Sequence, residues 1–234
     1  MSATTGTIHE LESQRTMADK AYEQLKNAII RGDLAQGSKI TEEDLAAEFG
    51  FSRGPIREAI RRLEGMKLVV RVPHAGARVV TLSHQMMSDL YTVRESLEGM
   101  SARLAARSMS KEKIEELRAL LDQHEQKIAE ADGKNYFQSE GDFDFHYRVA
   151  QASNNEWLIQ HLFGELYQLV RMCRYQTAKR PRRPVTALME HRQILEAIAR
   201  HDEELAELLM RRHISGAWEV IKPLLPREEK ENHD

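Results

Sequence analysis

The stretch that most constrains the fold is residues 41–64, which read TEEDLAAEFGFSRGPIREAIRRLE. Thr41 is a candidate helix N-cap, because its hydroxyl can accept a hydrogen bond from a free first-turn N–H. Gly50 ends the first helix, since glycine adopts the left-handed conformation at a helix C-terminus at little cost. Ser52 is the expected cap of a second helix, and Pro55 falls in its first turn, where a missing N–H does little harm. The stretch therefore predicts two short helices around a tight turn.

The second of these helices is predicted to have two faces of opposite character. Arg53, Arg57 and Arg61 are spaced four residues apart, so their side chains stack on one side of the helix. A short helix, a glycine turn and a helix with arginines from its first turn onward is typical of a helix-turn-helix that reads DNA. The alternative is a solvated arginine face on an ordinary helical domain. The apolar face follows helical spacing and consists of Ile56, Ala59, Ile60 and Leu63.

Two β-branched runs follow directly, VVRV at residues 69–72 and ARVVT at residues 77–81, with PHAG between them. Such runs on either side of turn residues predict a β-hairpin. A hairpin after a helix-turn-helix is a wing. Its tip carries His74 and Gly76, and Gly76 allows the backbone to approach a partner closely, so we expect the tip to enter a minor groove or to touch phosphate.

Four segments in this part of the chain, GDLAQGSKI, EDLA, FSRGPIREAIRRL and PHAGA, resemble the winged helix of GntR-type bacterial regulators. The resemblance covers residues 17–81. It implies that Arg53 and Arg57 contact operator DNA, and that the wing tip with His74 and Gly76 does so as well. A single recognition helix reads only a half-site, so we expect a palindromic operator and a homodimer.

The composition is that of an ordinary globular protein, with 41% hydrophobic and 30% charged residues in a chain of 234. The single Cys173 excludes an intramolecular disulfide and fits a reducing cytoplasm, where we expect the protein to be. No run approaches the ~20 apolar residues of a membrane span, so no membrane partner is expected. A net charge of −3 excludes a general polyanion binder, so the basic residues that matter must be local. They crowd one region: Arg53, Arg57, Arg61, Arg62, Lys67, Arg71 and Arg78.

The predicted fold class is mainly α, a winged helix-turn-helix followed by an all-helical antiparallel bundle of about six helices. We expect a disordered tail at 1–15, the DNA-binding domain at 16–81, the helical domain at 84–225 and a charged tail at 226–234. One helix of the bundle is predicted to run unbroken over residues 155–178. We expect the bundle core to include Met86, Met87, Met100, Met109, Phe143, Phe145, Tyr147, Trp157 and Phe163.

Four residues of the helical domain have the types and spacings of a metal site. Asp142 and His146 are four apart on one predicted helix, so they project from one face. His191 and His213 lie on two later helices that a short turn joins. Three histidines and an aspartate from a helical bundle form a reasonable divalent-metal cage. The alternative is that each is an ordinary surface or core residue. His124 is left as a surface or unassigned residue.

Five further segments resemble the FCD effector domain found in the FadR-type branch of GntR regulators: RESLE, DFDFH, SNN, EHRQILEAI and the run that ends at His213. The resemblance covers about residues 84–225. It implies that Asp142, His146, His191 and His213 hold a divalent ion, with zinc the first expectation and nickel or manganese as alternatives.

The same resemblance suggests an effector site. Arg94 matches an arginine near the family's cavity, where a guanidinium can clamp a carboxylate, and Asn155 matches an asparagine that closes the pocket. The alternatives are an ion pair between Arg94 and Glu98, and a helix cap at Asn155.

The resulting hypothesis is a transcriptional repressor, not an enzyme, that binds operator DNA as a homodimer and responds to a small organic acid beside the metal. One alternative is a metal sensor in which the ion itself is the effector. Another is a metal-dependent hydrolase, since such sites activate water. No residue of general-base type is placed beside the ligands, and no nucleophile motif is present.

Overall fold

The computed structural model describes residues 15–130, 144–164, 167–178 and 183–225. These residues cluster into two compact units, Met1–Thr81 and Leu82–Asp234, which are treated one at a time below. The mainly α fold predicted from the sequence is confirmed. Four predictions lie outside the described residues: the disordered tail up to residue 14, the charged tail at 226–234, the placement of Asp142 and the burial of Phe143 in the bundle core.

The first helix of the N-terminal unit has well-defined ends. It begins with a capping box, in which the Thr16 hydroxyl accepts from the Asp19 N–H and the Asp19 carboxylate accepts from the Thr16 N–H. It ends at Gly32, whose φ of 84° is accessible to glycine at little cost. The described residues of this unit form three helices, α1 (Met17–Arg31), α2 (Glu42–Phe49) and α3 (Arg53–Gly65).

Helices α2 and α3 form the predicted helix-turn-helix. The Thr41 hydroxyl accepts from the Asp44 N–H at 3.1 Å, and Gly50 ends α2 with a φ of 72°. Ser52 stands at the N-cap position of α3, but its side chain makes no capping hydrogen bond, so that expected contact is wrong. The apolar face of α3 packs against α1 and is buried as predicted; it consists of Ile56, Ala59, Ile60 and Leu63.

A small antiparallel sheet completes the unit, in the order β1-β3-β2. The hairpin pairs Val69 with Val79 and Val72 with Gly76, which confirms the predicted wing. A third strand pairs with β3 from the other side and was not predicted, because two residues are too short to show alternation. The strands are β1 (Lys39–Ile40), β2 (Val69–Val72) and β3 (Gly76–Val79).

The C-terminal unit is helical, and its described residues form seven α-helices and one short 3₁₀ turn. Helix α4 (His84–Ser108) packs along α10 (Glu203–Ile221), and α5 (Lys111–Glu130) packs along α9 (Arg183–Ala199). The prediction of one helix over 155–178 is wrong, because the first part ends at Gly164, whose φ of −83° and ψ of −126° are not helical. The elements are α4 (His84–Ser108), α5 (Lys111–Glu130), α6 (Phe145–Ala152), α7 (Glu156–Phe163), α8 (Tyr167–Ala178), α9 (Arg183–Ala199), α10 (Glu203–Ile221) and the 3₁₀ turn Lys222–Leu224.

Three side chains expected in the bundle core lie at its surface. Met86 and Met100 are 38% and 41% exposed, and Trp157 is 73% exposed. His124 departs from expectation in the opposite direction, since it is buried on α5. Helical periodicity identifies the faces of a helix but not which face meets a neighbour. Within the described residues, no helix combines the length and the apolar character that crossing a membrane requires.

Candidate DNA-binding surface and candidate metal centre

The three predicted arginines form one exposed surface of α3. The Arg53 and Arg57 side chains are 65% and 58% exposed, and Arg61 is exposed as well. Because α3 buries its apolar side against α1, these guanidinium groups are left facing solvent. This is the arrangement that a recognition helix requires to reach base edges and phosphates.

Glu42, which the sequence did not single out, lies against this arginine surface. Its two carboxylate oxygens accept from Arg57 Nε and Nη2, both at 2.8 Å, and one of them lies 3.9 Å from Arg53 Nε. The Arg57 hydrogen bond holds the pKa of Glu42 below its ordinary value, so the carboxylate is charged. Sequence spacing could not predict this contact, because Glu42 and Arg57 lie on different helices.

Other basic residues of the predicted cluster have partners within the unit. Arg62 binds Asp19 at 2.7 Å and lies over the Tyr22 ring, with 4.0 Å between its guanidinium carbon and the ring centre. Arg78 donates to the carbonyl of Gly37 at 2.8 Å. These contacts hold α1 and the sheet in place. Part of the predicted basic cluster therefore has a structural role.

The wing tip has the backbone that its turn residues predicted. His74 has a positive φ of 61° and an exposed side chain, and Gly76 has a φ of 82°. The N–H of Ala75 donates to the carbonyl of Val72 at 3.0 Å and closes the turn. A left-handed residue other than glycine carries some strain, which this tight connection imposes.

In the C-terminal unit, three histidines from three helices converge. His146 of α6, His191 of α9 and His213 of α10 each offer a ring nitrogen, and these nitrogens lie within 4.8 Å of one another. All three side chains are buried. The sequence predicted this set from residue type and spacing, and the structure brings these three together.

The geometry of the triad suits a metal ion. The Nε2 atoms of His191 and His213 are 3.3 Å apart. Two imidazole nitrogens on one tetrahedral ion, each about 2.0–2.1 Å from it, would be about 3.4 Å apart. The histidines therefore fit a divalent cation such as zinc.

Burial keeps the three imidazoles neutral, which is the form that binds metals. It lowers the pKa of His146 and takes the pKa of His191 well below its ordinary value. Burial also lowers the pKa of His213 to about 4, although its contact with Glu190 acts in the opposite direction. At neutral pH each ring can thus offer a lone pair.

Two carboxylates hold these rings from outside the triad. Glu98 lies 2.5 Å from Nδ1 of His146, and Glu190 lies 2.6 Å from Nδ1 of His213. Burial alone would raise the pKa of Glu98, but Arg94 and His146 together hold it below its ordinary value. Carboxylate, histidine and metal in series is a common arrangement around metal sites.

Arg94 is buried and bound to this same carboxylate. Its Nη2 and Nε lie 2.7 and 2.8 Å from Oε1 of Glu98. A second buried ionic contact lies nearby, in which Asp144 accepts from Arg174 and from the Tyr167 hydroxyl. Sequence reasoning missed Glu98 as a partner of His146, because the two lie 48 positions apart.

Asn155 caps helix α7, since its side-chain oxygen accepts from the Leu158 N–H at 3.2 Å. Asp142, the fourth predicted ligand, lies outside the described residues. The prediction of one helix that carries both Asp142 and His146 is wrong, because α6 begins at Phe145 and Asp144 has an extended backbone, with φ of −104° and ψ of 118°.

Comparison with known proteins agrees with this two-part construction. Residues 17–79 match the family model "Bacterial regulatory proteins, gntR family", and residues 89–216 match the FCD domain. The uncharacterised HTH-type transcriptional regulator YdhC of Bacillus subtilis is 30% identical over 211 residues, which cover 90% of this chain and 93% of YdhC. A protein of Paenarthrobacter nicotinovorans named "Probable D-xylose utilization operon transcriptional repressor" is 28% identical, covering 87% of this chain and 88% of the relative.

Solved structures show the same fold. McbR/YncC of E. coli superposes with a TM-score of 0.69 at 18% identity, over 90% of this chain and 99% of that one. A GntR regulator from Rhodococcus sp. RHA1 gives a TM-score of 0.67 at 22% identity, over 89% and 99% of the two chains. The chain therefore belongs to the GntR family of bacterial transcriptional regulators, with an FCD domain after its winged helix.

Proposed function

We propose that this regulator is a repressor whose DNA affinity is set by a small carboxylate metabolite bound beside a divalent metal ion. The observation that carries the proposal is the buried triad of His146, His191 and His213 within a domain of the FCD family. Repression is supported by two relatives at 28% identity, the D-xylose operon repressor and GlaR of E. coli, both named as transcriptional repressors.

The DNA part of the proposal rests on α3 and the wing. Arg53, Arg57 and Arg61 are exposed on one face, and we propose that they contact bases and phosphates in the major groove. His74 and Gly76 at the wing tip are proposed to contact the DNA backbone beside the recognition helix. The His74 ring is exposed, and Gly76 has no side chain to keep the DNA at a distance.

The metal part rests on three buried, neutral imidazoles whose spacing matches one ion. Asp142 is proposed as the fourth ligand on its resemblance to the metal-binding aspartate of FCD domains; helical spacing does not support it, because α6 begins only at Phe145. Zinc is the first candidate, since imidazole nitrogen in a tetrahedral set suits it, and nickel or manganese are alternatives.

We assign the effector site to Arg94 and Asn155. Glu98 engages Nε and Nη2 of Arg94, so an incoming carboxylate is proposed to bind Nη1. The oxygen of Asn155 caps α7, and its amide nitrogen is the group proposed to face the acid. A small acid that also chelates the metal would gain affinity from both contacts.

We further propose a homodimer that binds a palindromic operator. Helix α4 exposes an apolar stripe of Met86, Val93 and Met100, which are 38%, 47% and 41% exposed. These residues recur every seven positions, so they lie along one side of the helix, as in helices that pack against a partner helix. An exposed apolar stripe of this kind indicates an interaction surface.

The proposal is tested by fluorescence anisotropy with labelled DNA from upstream of the protein's own gene. The titration is repeated with a panel of small organic acids and after chelation of the metal. Salt-dependent binding that one acid shifts by about tenfold, or about 1.4 kcal/mol, supports the proposal. Binding that no acid shifts but chelation abolishes would favour a metal sensor instead. Binding no tighter than to random DNA would contradict the operator-binding part.

A further inference from the structure

Two carboxylates on different helices make the same contact with the histidine triad. Glu98 of α4 holds Nδ1 of His146 at 2.5 Å, and Glu190 of α9 holds Nδ1 of His213 at 2.6 Å. A carboxylate only accepts hydrogen bonds, and a neutral imidazole has one donating and one accepting nitrogen. Each contact therefore places the ring hydrogen on Nδ1 and leaves the lone pair on Nε2.

We propose that Glu98 and Glu190 are positioning residues that fix His146 and His213 in the Nδ1–H form, so that both rings present Nε2 to a divalent cation. The inference rests on the metal site of the proposed function and adds the groups that prepare it. Without such a partner, an imidazole exchanges between two tautomers and two ring orientations, and only one combination offers Nε2 to the ion.

The position of His213 supports this assignment. Its Nε2 already lies 3.3 Å from Nε2 of His191, on the opposite side of the ring from the Glu190 contact. Rotating the ring would break the 2.6 Å hydrogen bond to Glu190, so the carboxylate resists that rotation. His146 has the same carboxylate contact at Nδ1, and its ring centre lies 5.1 Å from that of His213.

The two carboxylates differ in what else they bind, and this decides the choice of variant. Glu98 is buried, and its other oxygen neutralises Arg94, so its removal leaves a charge buried without its partner. The Glu190 side chain is 31% exposed and shares one oxygen with Arg183 at 3.1 Å. Glu190 can therefore be changed with less risk to folding.

The experiment measures Zn²⁺ affinity of the full-length protein by competition with a chromophoric chelator. We expect Glu190→Gln to bind zinc about 10–100-fold more weakly than wild type, as is usual for loss of a partner that orients a ligand. Glu196→Gln is the matched control, since it makes the same change on the same helix. Glu196 pairs with Arg118 and Arg200 instead of a histidine, so this variant should bind zinc with wild-type affinity. Arg183→Gln controls for loss of the Arg183–Glu190 ion pair and should also bind zinc with wild-type affinity.

A second readout detects positioning without metal. In the metal-free protein, long-range ¹H–¹⁵N spectra of labelled histidine should show His213 as a single Nδ1–H tautomer, and Glu190→Gln should convert it to a mixture. Glu98→Gln should do the same for His146 where that variant folds. Wild-type zinc affinity and an unchanged tautomer in folded Glu190→Gln would overturn the inference and leave the metal site intact. No zinc uptake by wild type would overturn the metal site itself, a failure visible before any variant is compared.

Discussion

The two units of the molecule use the same pair of residue types in opposite settings. In the winged helix, Glu42 binds Arg57 through two 2.8 Å contacts, with the side chains 28% and 58% exposed. In the FCD domain, Glu98 binds Arg94 at 2.7 and 2.8 Å, with the side chains 6% and 5% exposed.

The distances are nearly equal, so burial decides what each pair does. An exposed pair is screened by solvent and salt and contributes about 0–1 kcal/mol to stability. Arg57 can therefore exchange its carboxylate for phosphate or a base edge at small cost. A buried pair has lost its water, so neither partner can be removed without leaving an uncompensated charge. The first pair suits a binding surface, and the second suits a fixed internal framework.

The largest expected effect is that of Glu98→Ala, which leaves the Arg94 charge buried. We expect the free energy of unfolding of the FCD domain to fall by about 3–5 kcal/mol. Both tryptophans of the chain, Trp157 and Trp218, lie in the C-terminal unit, so their fluorescence in a urea titration reports on that unit alone. Glu95→Ala is the control, because Glu95 lies on the same helix as Glu98 but is 32% exposed and pairs with the exposed Arg211. A loss below about 1 kcal/mol, within the range of an exposed pair, would contradict the comparison.

His191→Ala is expected to have the next largest effect, on metal binding. Removing a ligand should weaken zinc affinity at least as much as the 10–100-fold that loss of an orienting partner costs. The measurement is zinc stoichiometry after dialysis against a weak chelator. His161→Ala, a change of an exposed histidine on α7, should retain zinc. Full zinc occupancy in His191→Ala would show that His191 is not a ligand of the proposed site.

Arg57→Ala should weaken operator binding by about 1–3 kcal/mol if the side chain reads a base. If it contacts phosphate instead, the slope of log affinity against log salt should fall by about 1 and all sequences should weaken equally. Anisotropy at several salt concentrations with operator and random DNA separates the two. Arg200→Ala, an exposed arginine in the other unit, is the control. Unchanged affinity at every salt concentration would rule out Arg57 as a contact.

The smallest effect is expected from Glu42→Gln. Stability should change little, because the carboxylate is partly exposed and its ion pair is screened by solvent. Affinity for random DNA should rise, since one negative charge leaves the arginine surface and Arg57 is no longer held by a carboxylate. Thermal melting and anisotropy with random DNA measure the two effects. Glu58→Gln, which removes an exposed carboxylate from α3 itself, tests whether net charge alone explains a rise. A large loss of stability would mean that the Glu42–Arg57 pair stabilises the fold as the buried Glu98–Arg94 pair does, and would contradict the comparison.

The helix-turn-helix could be predicted almost completely, because its signals are local. The Thr41 cap, the Gly50 turn and the four-residue spacing of arginines each depend on neighbours within a few positions. Strand β1 escaped prediction because a two-residue strand forms only when β3 lies beside it. The break at Gly164 was missed because glycine within an apolar helical pattern is often tolerated.

The candidate metal centre was predicted in part. His146, His191 and His213 were selected by type and spacing, and the described residues bring them together. Asp142 remains a prediction. Arg94 and Asn155 are found in the contacts that were considered as alternatives, an ion pair and a helix cap, while their effector roles remain proposals.

The sequence by itself determined where the two helices of the helix-turn-helix begin and end, which face of α3 is charged and which histidines can serve as ligands, because these properties follow from local turns, periodicity and residue chemistry. Only the tertiary structure decided which carboxylate meets which cation and how deeply each pair is buried. Glu42 meets Arg57 and Glu98 meets His146 across different helices, at separations of 15 and 48 positions. Packing sets such contacts and their exposure to water, and no local pattern encodes either.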